Sequence, residues 1–237
     1  MNAVALEWKK RKRTGLLTAY LGGGMLAGTL PVAQMFLRPE RFLSQPGGPV
    51  QILLGENGQM MAMLNVLLTV AGTCLQYHLE YADNAMGKMR ALPIPESALF
   101  LGKGLLASLL TLVTLIIEAG VTGFCAFHWF GTGKDVLGEL LKNFGFLYAL
   151  TLPCIFLSLL IGEAFPNMWT ALGIGVICVF VATMIPAGHF ALSLFPYALP
   201  FQLLGEDARR YLLGAACELG IIGLMQWLYR KGRRMLA

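Results

Sequence analysis

Charged residues are scarce in this sequence, and their scarcity excludes most soluble folds. Only 13% of the 237 residues are charged and 57% are hydrophobic, whereas a soluble domain carries about a quarter charged residues. A chain of this length cannot enclose so much apolar surface in one core, so much of that surface must face lipid. The apolar runs are about twenty residues long, which predicts transmembrane helices rather than the shorter alternating strands of a membrane barrel.

The motifs of the common catalytic and nucleotide-binding sites are also absent. There is no GxxxxGK[ST] sequence, so the chain has no P-loop with which to bind ATP itself. There is no HExxH or GxSxG sequence, and the three histidines lie far apart. The five cysteines fall inside apolar runs without CxxC spacing. We therefore expect no catalytic residue, no cofactor and no metal site in this chain.

Six apolar runs are long enough to predict transmembrane helices. They cover residues 14–37, 58–79, 104–127, 144–161, 168–186 and 211–229. The fourth run is the shortest, and Pro153 within it predicts a kink. The expected fold is an all-α integral membrane domain that takes up the whole chain, residues 1–237.

Lysine and arginine are distributed unequally between the two sides of these six spans. Twelve lie on the side of the N-terminus, in the segments 1–13, 80–103 and 230–234, and six lie on the other side. The richer side is expected to be cytoplasmic, which places both termini inside the cell. The net charge of +5 is then explained by topology, and no nucleic-acid partner is expected.

Three segments outside the spans have a distinct character. Trp8 precedes a run of five basic residues, which predicts an interfacial helix over residues 1–13. Residues 80–103 form the only internal cytoplasmic loop long enough to present a surface. Residues 189–210 are apolar but interrupted by Pro196 and Pro200, which predicts a re-entrant or interfacial hairpin in the outer leaflet, or else an ordinary apolar loop.

Two carboxylates fall within the predicted spans, Glu118 in the third and Glu218 in the sixth. A charged side chain in mid-membrane costs at least about 2.5 kcal/mol, so such residues usually face the helix bundle or water. Either the two acids line an outward cavity that meets a cationic ligand, or each is a protonated or hydrogen-bonded carboxyl between helices. In the first span, Gly24 and Gly28 have the small-xxx-small spacing that allows close helix packing.

The order of these parts resembles the permease subunits of ABC-2-type exporters, most closely the lantibiotic-immunity permeases that work in E-type and G-type pairs. Two stretches carry the resemblance. The first is the opening Leu6-Glu7-Trp8-Lys9-Lys10-Arg11-Lys12-Arg13. The second runs from Glu80 through Asp83 to Leu92-Pro93-Ile94-Pro95 and is followed by Lys103.

This resemblance implies an elbow helix over residues 1–13, a coupling helix within residues 80–95 and a re-entrant element before the last span. The residues expected to couple to the ATPase are Glu80, Asp83, Lys88, Arg90, Leu92 and Pro93. The implied partners are a dimer of ATPase subunits that binds the ATP, a second permease subunit and the lipid bilayer. The implied substrate is a cationic antimicrobial peptide, expelled for self-immunity across a bacterial plasma membrane. Candidate contacts for such a cation are Glu118, Glu218, Glu206 and Asp207.

Two other classes of function compete with this one. An ion-coupled secondary transporter could use Glu118 and Glu218, although no internal repeat relates the two halves of the sequence. A membrane-embedded enzyme or a sensor is the other class, and the absence of a convergent catalytic set counts against the enzyme.

Overall fold

The computed structural model describes residues 7–8, 15–82, 95–131, 135–185 and 189–236. Every regular element within these ranges is helical and none is a strand, which confirms the predicted all-α class. Most of the predicted elbow segment lies outside the described residues. So do five of the predicted coupling residues, namely Asp83, Lys88, Arg90, Leu92 and Pro93.

The described helices are named here in chain order. They are α1 (Leu16–Leu37), α2 (Pro39–Leu43), α3 (Pro49–Ala82), α4 (Glu96–Phe130), α5 (Val136–Ala164), α6 (Met168–Thr183), α7 (Phe190–Ser193) and α8 (Ala208–Leu236), with a 3₁₀ turn at Leu199–Phe201. Several helix ends follow local rules. Pro39 opens α2, where its missing N–H is not needed. Asn167 caps α6, because its side chain accepts a hydrogen bond from the Trp169 amide at 3.0 Å.

Five of these helices, α1, α3, α4, α5 and α8, are long and apolar enough to cross a membrane. The sixth predicted span is present as α6, but α6 has only 16 residues. At 1.5 Å per residue it is about 24 Å long, which is shorter than the hydrocarbon core of about 30 Å. By length and composition alone, the described residues therefore support five spans, whereas six were predicted.

Four of the spans, α3, α4, α5 and α8, are longer than their apolar runs. The predicted second span began at residue 58, but α3 begins at Pro49 and continues through Gly55 and Gly58. The predicted fourth span, expected to be the shortest, is a helix of 29 residues with Pro153 inside it. In both cases tertiary packing overrides local propensity, since Val50 and Leu53 in α3, like Val136 in α5, are buried.

Helix α1 lies against α4 and α3, and it approaches α4 most closely at two glycines. A Cβ atom added at Gly24 would lie 3.2 Å from the Thr114 backbone, and one added at Gly28 would lie 3.1 Å from Val121. The small residues of α1 are therefore used for packing within the subunit. The Thr114 hydroxyl completes the contact by donating a hydrogen bond to the Tyr20 carbonyl at 3.1 Å.

The predicted hairpin segment enters the bundle rather than lying over it. Tyr197, Ala198 and Leu199 are at most 1% exposed. The Tyr197 hydroxyl lies 2.9 Å from that of Ser158 on α5. Ser158 is six residues before the end of α5, or about 9 Å along the helix axis. The segment thus reaches past the middle of α5.

Candidate functional site

Two clusters of charged residues lie at one end of the described bundle, where α3, α5 and α8 finish and α4 begins. We call this the charged end. Its first cluster is centred on Lys103, which is 1% exposed. The Lys103 Nζ donates to Glu80 Oε1 at 2.5 Å and to Glu7 Oε1 at 3.1 Å. Three parts of the chain, namely the N-terminal segment, the end of α3 and the start of α4, therefore meet at a single ammonium group.

This cluster has almost no access to water. Glu7 and Glu80 are 3% and 4% exposed, and the Lys103 ammonium also lies 5.2 Å from the centre of the Tyr77 ring. Removing one member of a buried ion pair costs about 3–5 kcal/mol, because the charge left behind has no solvent. The three segments are therefore fixed to one another, and separating any of the three charged side chains from the cluster costs this free energy.

A second cluster is centred on Glu163, which is the second-last residue of α5 and is 6% exposed. Its carboxylate accepts a hydrogen bond from Gln226 Nε2 at 2.6 Å and lies 3.6 Å from Arg230 Nη2 and 3.9 Å from Arg233 Nη1. Its backbone carbonyl accepts a hydrogen bond from the Tyr81 hydroxyl at 2.9 Å. That carbonyl belongs to the last turn of α5, where no helical amide remains to satisfy it. Glu163 thus joins α3 and α5 to α8.

The arginines of α8 extend this second cluster to the start of α4. Arg230 Nη2 donates to the Glu96 carbonyl at 2.9 Å, and Arg233 Nη2 lies 3.7 Å from the Glu96 carboxylate. Arg230 is 11% exposed and Arg233 is 31% exposed, so the first contact is much better shielded than the second. Solvent weakens an exposed ion pair, which leaves Arg230 as the main link between α8 and α4.

Together the two clusters hold both ends of the segment that joins α3 to α4. Glu80 precedes this segment and is tied to Lys103, while Glu96 follows it and is tied to Arg230 and Arg233. The ends of α3 and α4 are thus connected to each other and to α5 and α8.

Of the predicted coupling residues, only Glu80 lies among the described residues, and it is buried inside the first cluster. The predicted loop 80–103 is also shorter than expected, since α3 continues to Ala82 and α4 begins at Glu96. Lys103 is accordingly a helical residue in the bundle. Its place in the cluster explains why a lysine can occur at the start of an apolar span.

Sequence reasoning missed Glu163 and its partners Gln226, Arg230 and Arg233. Two signals could have identified them. Glu163 is an acid at the end of an apolar helix, and the basic residues near the C-terminus required counter-charges on the same side of the membrane. Glu163 lies just beyond the predicted fourth span, which ends at residue 161, so it is not among the acids predicted within a span.

The structure does not bring Glu118 and Glu218 together. Glu118 is 1% exposed and accepts a hydrogen bond from Asn65 Nδ2 of α3 at 3.0 Å. Glu218 lies on α8, which packs mainly on α5, and it is partly exposed. Glu206 and Asp207 are exposed just before α8 at the opposite end of the bundle, where Asp207 Oδ1 accepts a hydrogen bond from Arg210 at 3.0 Å.

Comparison with known families decides the identity of this helical bundle. The profile described as "ABC-2 family transporter protein" matches residues 3–182, about three quarters of the chain. The chain belongs to the ABC-2 transporter family. No curated protein and no solved structure matches it significantly.

Members of the ABC-2 family are the membrane permeases of ABC transporters, and this chain is such a transport subunit rather than an enzyme. The permease works with a separate ABC ATPase subunit. The matched range includes Glu80, Lys103 and Glu163 but ends before α8, so the arginines that complete the second cluster lie outside it.

Proposed function

We propose that this chain is the permease subunit of an ABC exporter and that its ATPase docks at the charged end, on the segment between α3 and α4. The observation that carries the proposal is that ion clusters hold both ends of this segment, through Glu80–Lys103 on one side and Glu96–Arg230 on the other. A segment that is held at both ends can transmit the movement of a docked ATPase to the spans.

The clusters favour movement of the spans as rigid bodies. Closure of an ATPase dimer displaces what is docked on it, and packed helices respond by discrete shifts rather than by gradual deformation. Breaking the buried Lys103 cluster would cost about 3–5 kcal/mol. A displacement of the segment therefore moves the attached helices rather than breaking the ion pairs at its ends. Through Glu163, the same displacement also moves α5 and α8.

The charged end is the cytoplasmic end in this proposal. Glu7, Glu80, Lys103 and Arg230 lie there together, and they belong to the basic segments that the positive-inside rule assigns to the cytoplasm. Both termini are then cytoplasmic, and residues 1–13 form the elbow helix on the inner headgroup layer. The membrane is the plasma membrane of a bacterium.

We propose six crossings of the membrane, and the positions of α5 and α8 support this number. The last turns of α5 and of α8 both lie at the charged end, where Glu163 meets Arg230. Since α8 has 29 residues, or about 43 Å, it begins at the opposite end. These positions support one further crossing between α5 and α8, and in this proposal α6 makes it. The segment from His189 to Phe201 is then a re-entrant hairpin that enters from the outer side.

The proposed substrate is a cationic amphiphilic peptide of the lantibiotic type, removed from the outer leaflet to protect the cell that makes it. Glu206 and Asp207 are exposed at the outer end and are suitably placed to meet such a cation. Glu218 lies on α8, whose exposed side chains include Leu213, Leu224 and Trp227. A second permease subunit covers that apolar face in the assembled exporter.

The first experiment is purification of a tagged copy from its native host in mild detergent, with the co-purifying proteins identified by mass. We expect a P-loop ATPase together with a second polytopic permease. Recovery of the folded chain without any ATPase would contradict the proposal.

The docking position is tested with the double substitution Arg90→Glu and Leu92→Asp. We expect normal membrane insertion but loss of ATPase binding and of transport. The matched control reverses one charge and adds one acid at the opposite end, Arg209→Glu with Leu204→Asp, and should leave ATPase binding intact. Equal loss in both variants would argue against docking between α3 and α4.

A further inference from the structure

One carboxylate in the bundle has a setting unlike those of the charged end. Glu118 lies between α3 and α4 with 1% of its surface exposed, and its partner Asn65 is 8% exposed. The Asn65 amide donates from Nδ2 to Glu118 Oε2 at 3.0 Å. This single hydrogen bond connects two helices in the middle of the membrane-spanning region.

One oxygen of each side chain makes no hydrogen bond to the described residues. Glu118 Oε1 and Asn65 Oδ1 are both buried, and neither has a hydrogen-bond partner among the described residues. If Glu118 is ionised, both atoms are acceptors and neither can satisfy the other. Each buried acceptor without a donor costs about 1–3 kcal/mol. A single proton on Glu118 Oε1 removes both deficits, because Oε1 then donates and Asn65 Oδ1 accepts.

Among the described residues, no unpaired positive charge is buried beside Glu118 to hold it in its ionised form. Lys103 is fifteen residues earlier on α4, about 22 Å along the helix axis, and it is already paired with Glu7 and Glu80. On the helices packed around α4, the titratable or charged side chains are Tyr20 of α1, Glu40 and Arg41 of α2, Glu56, Cys74, Tyr77, His78, Glu80 and Tyr81 of α3, and Glu139, Lys142, Tyr148, Cys154 and Glu163 of α5. Of the arginine and the lysine in this set, Arg41 is paired with Glu56 at 2.6 Å and Lys142 is on an exposed face of α5.

We infer that Glu118 is a proton-binding site: a carboxylic acid that donates from Oε1 to Asn65 Oδ1 while Oε2 accepts from Asn65 Nδ2. The two hydrogen bonds run in opposite directions between two planar groups and close a ring. The pair is uncharged, so it avoids the several kcal/mol that burial of an isolated carboxylate costs.

With this proton, the pair of Glu118 and Asn65 holds α3 and α4 together by two hydrogen bonds. With the proton in place, both hydrogen-bonding groups of Asn65 and both oxygens of Glu118 are used within the bundle. Without it, a negative charge remains in a dry environment, and α3 and α4 must separate far enough to admit water. With the proton in place Glu118 carries no charge and does not attract a cationic substrate. That role is left to Glu206 and Asp207.

The test is infrared difference spectroscopy of the purified chain in lipid nanodiscs at neutral pH. Subtracting the spectrum of Glu118→Gln from that of the wild type should reveal one carboxylic-acid C=O band, which shifts in D₂O because the acidic proton exchanges. Gln has nearly the same shape as Glu and keeps a donor and an acceptor, so this variant should fold. The control Glu206→Gln removes an exposed acid and should reveal a carboxylate band instead.

A second variant tests the reciprocal geometry. Asn65→Ala should keep the acid band but move it to higher frequency, because the C=O group loses the hydrogen bond from Nδ2. A carboxylate band in the Glu118→Gln difference spectrum would overturn the proton site, and an unmoved acid band in Asn65→Ala would overturn the pairing. Neither measurement needs an ATPase or a substrate, so both results are independent of the proposed export function.

Discussion

At the charged end of the bundle, Glu7, Glu80 and Glu163 each lie within 4 Å of a lysine or an arginine. In the middle of the same bundle, Glu118 has only an amide for a partner. All four carboxylates are at most 6% exposed, so burial alone does not distinguish them. The difference lies in the supply of cations, which are available where the helices reach the headgroups and absent in the hydrocarbon region.

The comparison shows that two physical devices hold this permease together. The charged end depends on ion pairs, whose strength comes from Coulomb attraction in a poorly solvated site. The middle depends on close backbone contact at Gly24 and Gly28 and on hydrogen bonds between neutral groups. Substitutions that remove a charge should therefore affect the charged end far more than the middle, and substitutions that add volume should do the reverse.

The largest effect is expected from Lys103→Met. This change leaves Glu7 and Glu80 buried without their shared cation, and we expect a loss of about 3–5 kcal/mol in the free energy of unfolding. Thermal unfolding in detergent at neutral pH measures it. Lys142→Met is the matched control, because Lys142 is exposed on α5. Equal losses of stability in the two variants would mean that the Lys103 cluster contributes no more to stability than an exposed lysine does.

Glu163→Gln should have the next largest effect. Gln can still bond to Gln226, but it offers no charge to Arg230 and Arg233, and hydrogen bonds to charged groups contribute about 1.5–3 kcal/mol. We expect this loss of stability together with weakened ATP-driven transport, while ATPase binding persists. The comparison variant is Glu139→Gln, at the other end of α5. If transport falls equally in both variants, Glu163 has no particular role in transmission.

In the middle of the bundle, a substitution that adds volume should affect stability more than one that removes a charge. Gly24→Ala places a methyl group 3.2 Å from the Thr114 backbone, and overpacking of this kind costs about 1–3 kcal/mol. Gly22→Ala is the control, since a Cβ atom there meets nothing within 4 Å. Thermal unfolding should separate the two variants, with only Gly24→Ala destabilised. The same loss in Gly22→Ala would point to helix flexibility instead of packing.

The smallest effect is expected from Tyr197→Phe, which removes the hydrogen bond to Ser158 but keeps the ring. A neutral hydrogen bond contributes about 0.5–1.5 kcal/mol. Ser158→Ala removes the same bond from the other side, so the double variant should lose less stability than the two single losses added together. Strict additivity would mean that the two hydroxyls do not interact.

The spans were predictable because hydrophobicity is local. A run of about twenty apolar residues identifies α1 or α8 without knowledge of its neighbours. The extension of α3 back to Pro49 was not predictable from Gly55 and Gly58, which weaken a helix locally. Burial of Val50, Leu53 and Leu54 compensates for this weakness, and that burial depends on contacts with α4 and α5.

The charged end was predictable only in part for the same reason. Lys103 and the Glu80 region stood out from the family resemblance, but the identity of the partners depends on which helix ends meet in space. Glu163 and Gln226 are 63 residues apart, and Glu7 and Lys103 are 96 apart. No sequence spacing predicts such pairs, whereas the three-dimensional arrangement makes each of them a direct contact.

The second cluster also has a consequence for how the chain is made. Gln226 follows Glu163 by 63 residues, and ribosomes add about 5–20 residues per second. For about 3–13 s after its own synthesis, Glu163 has none of its α8 partners. During that interval the end of α5 must stay near lipid headgroups or water, because its carboxylate has no arginine to neutralise it. The late arrival of α8 thus completes both the membrane crossing and the neutralisation of Glu163, and it sets the moment at which the nascent permease can close.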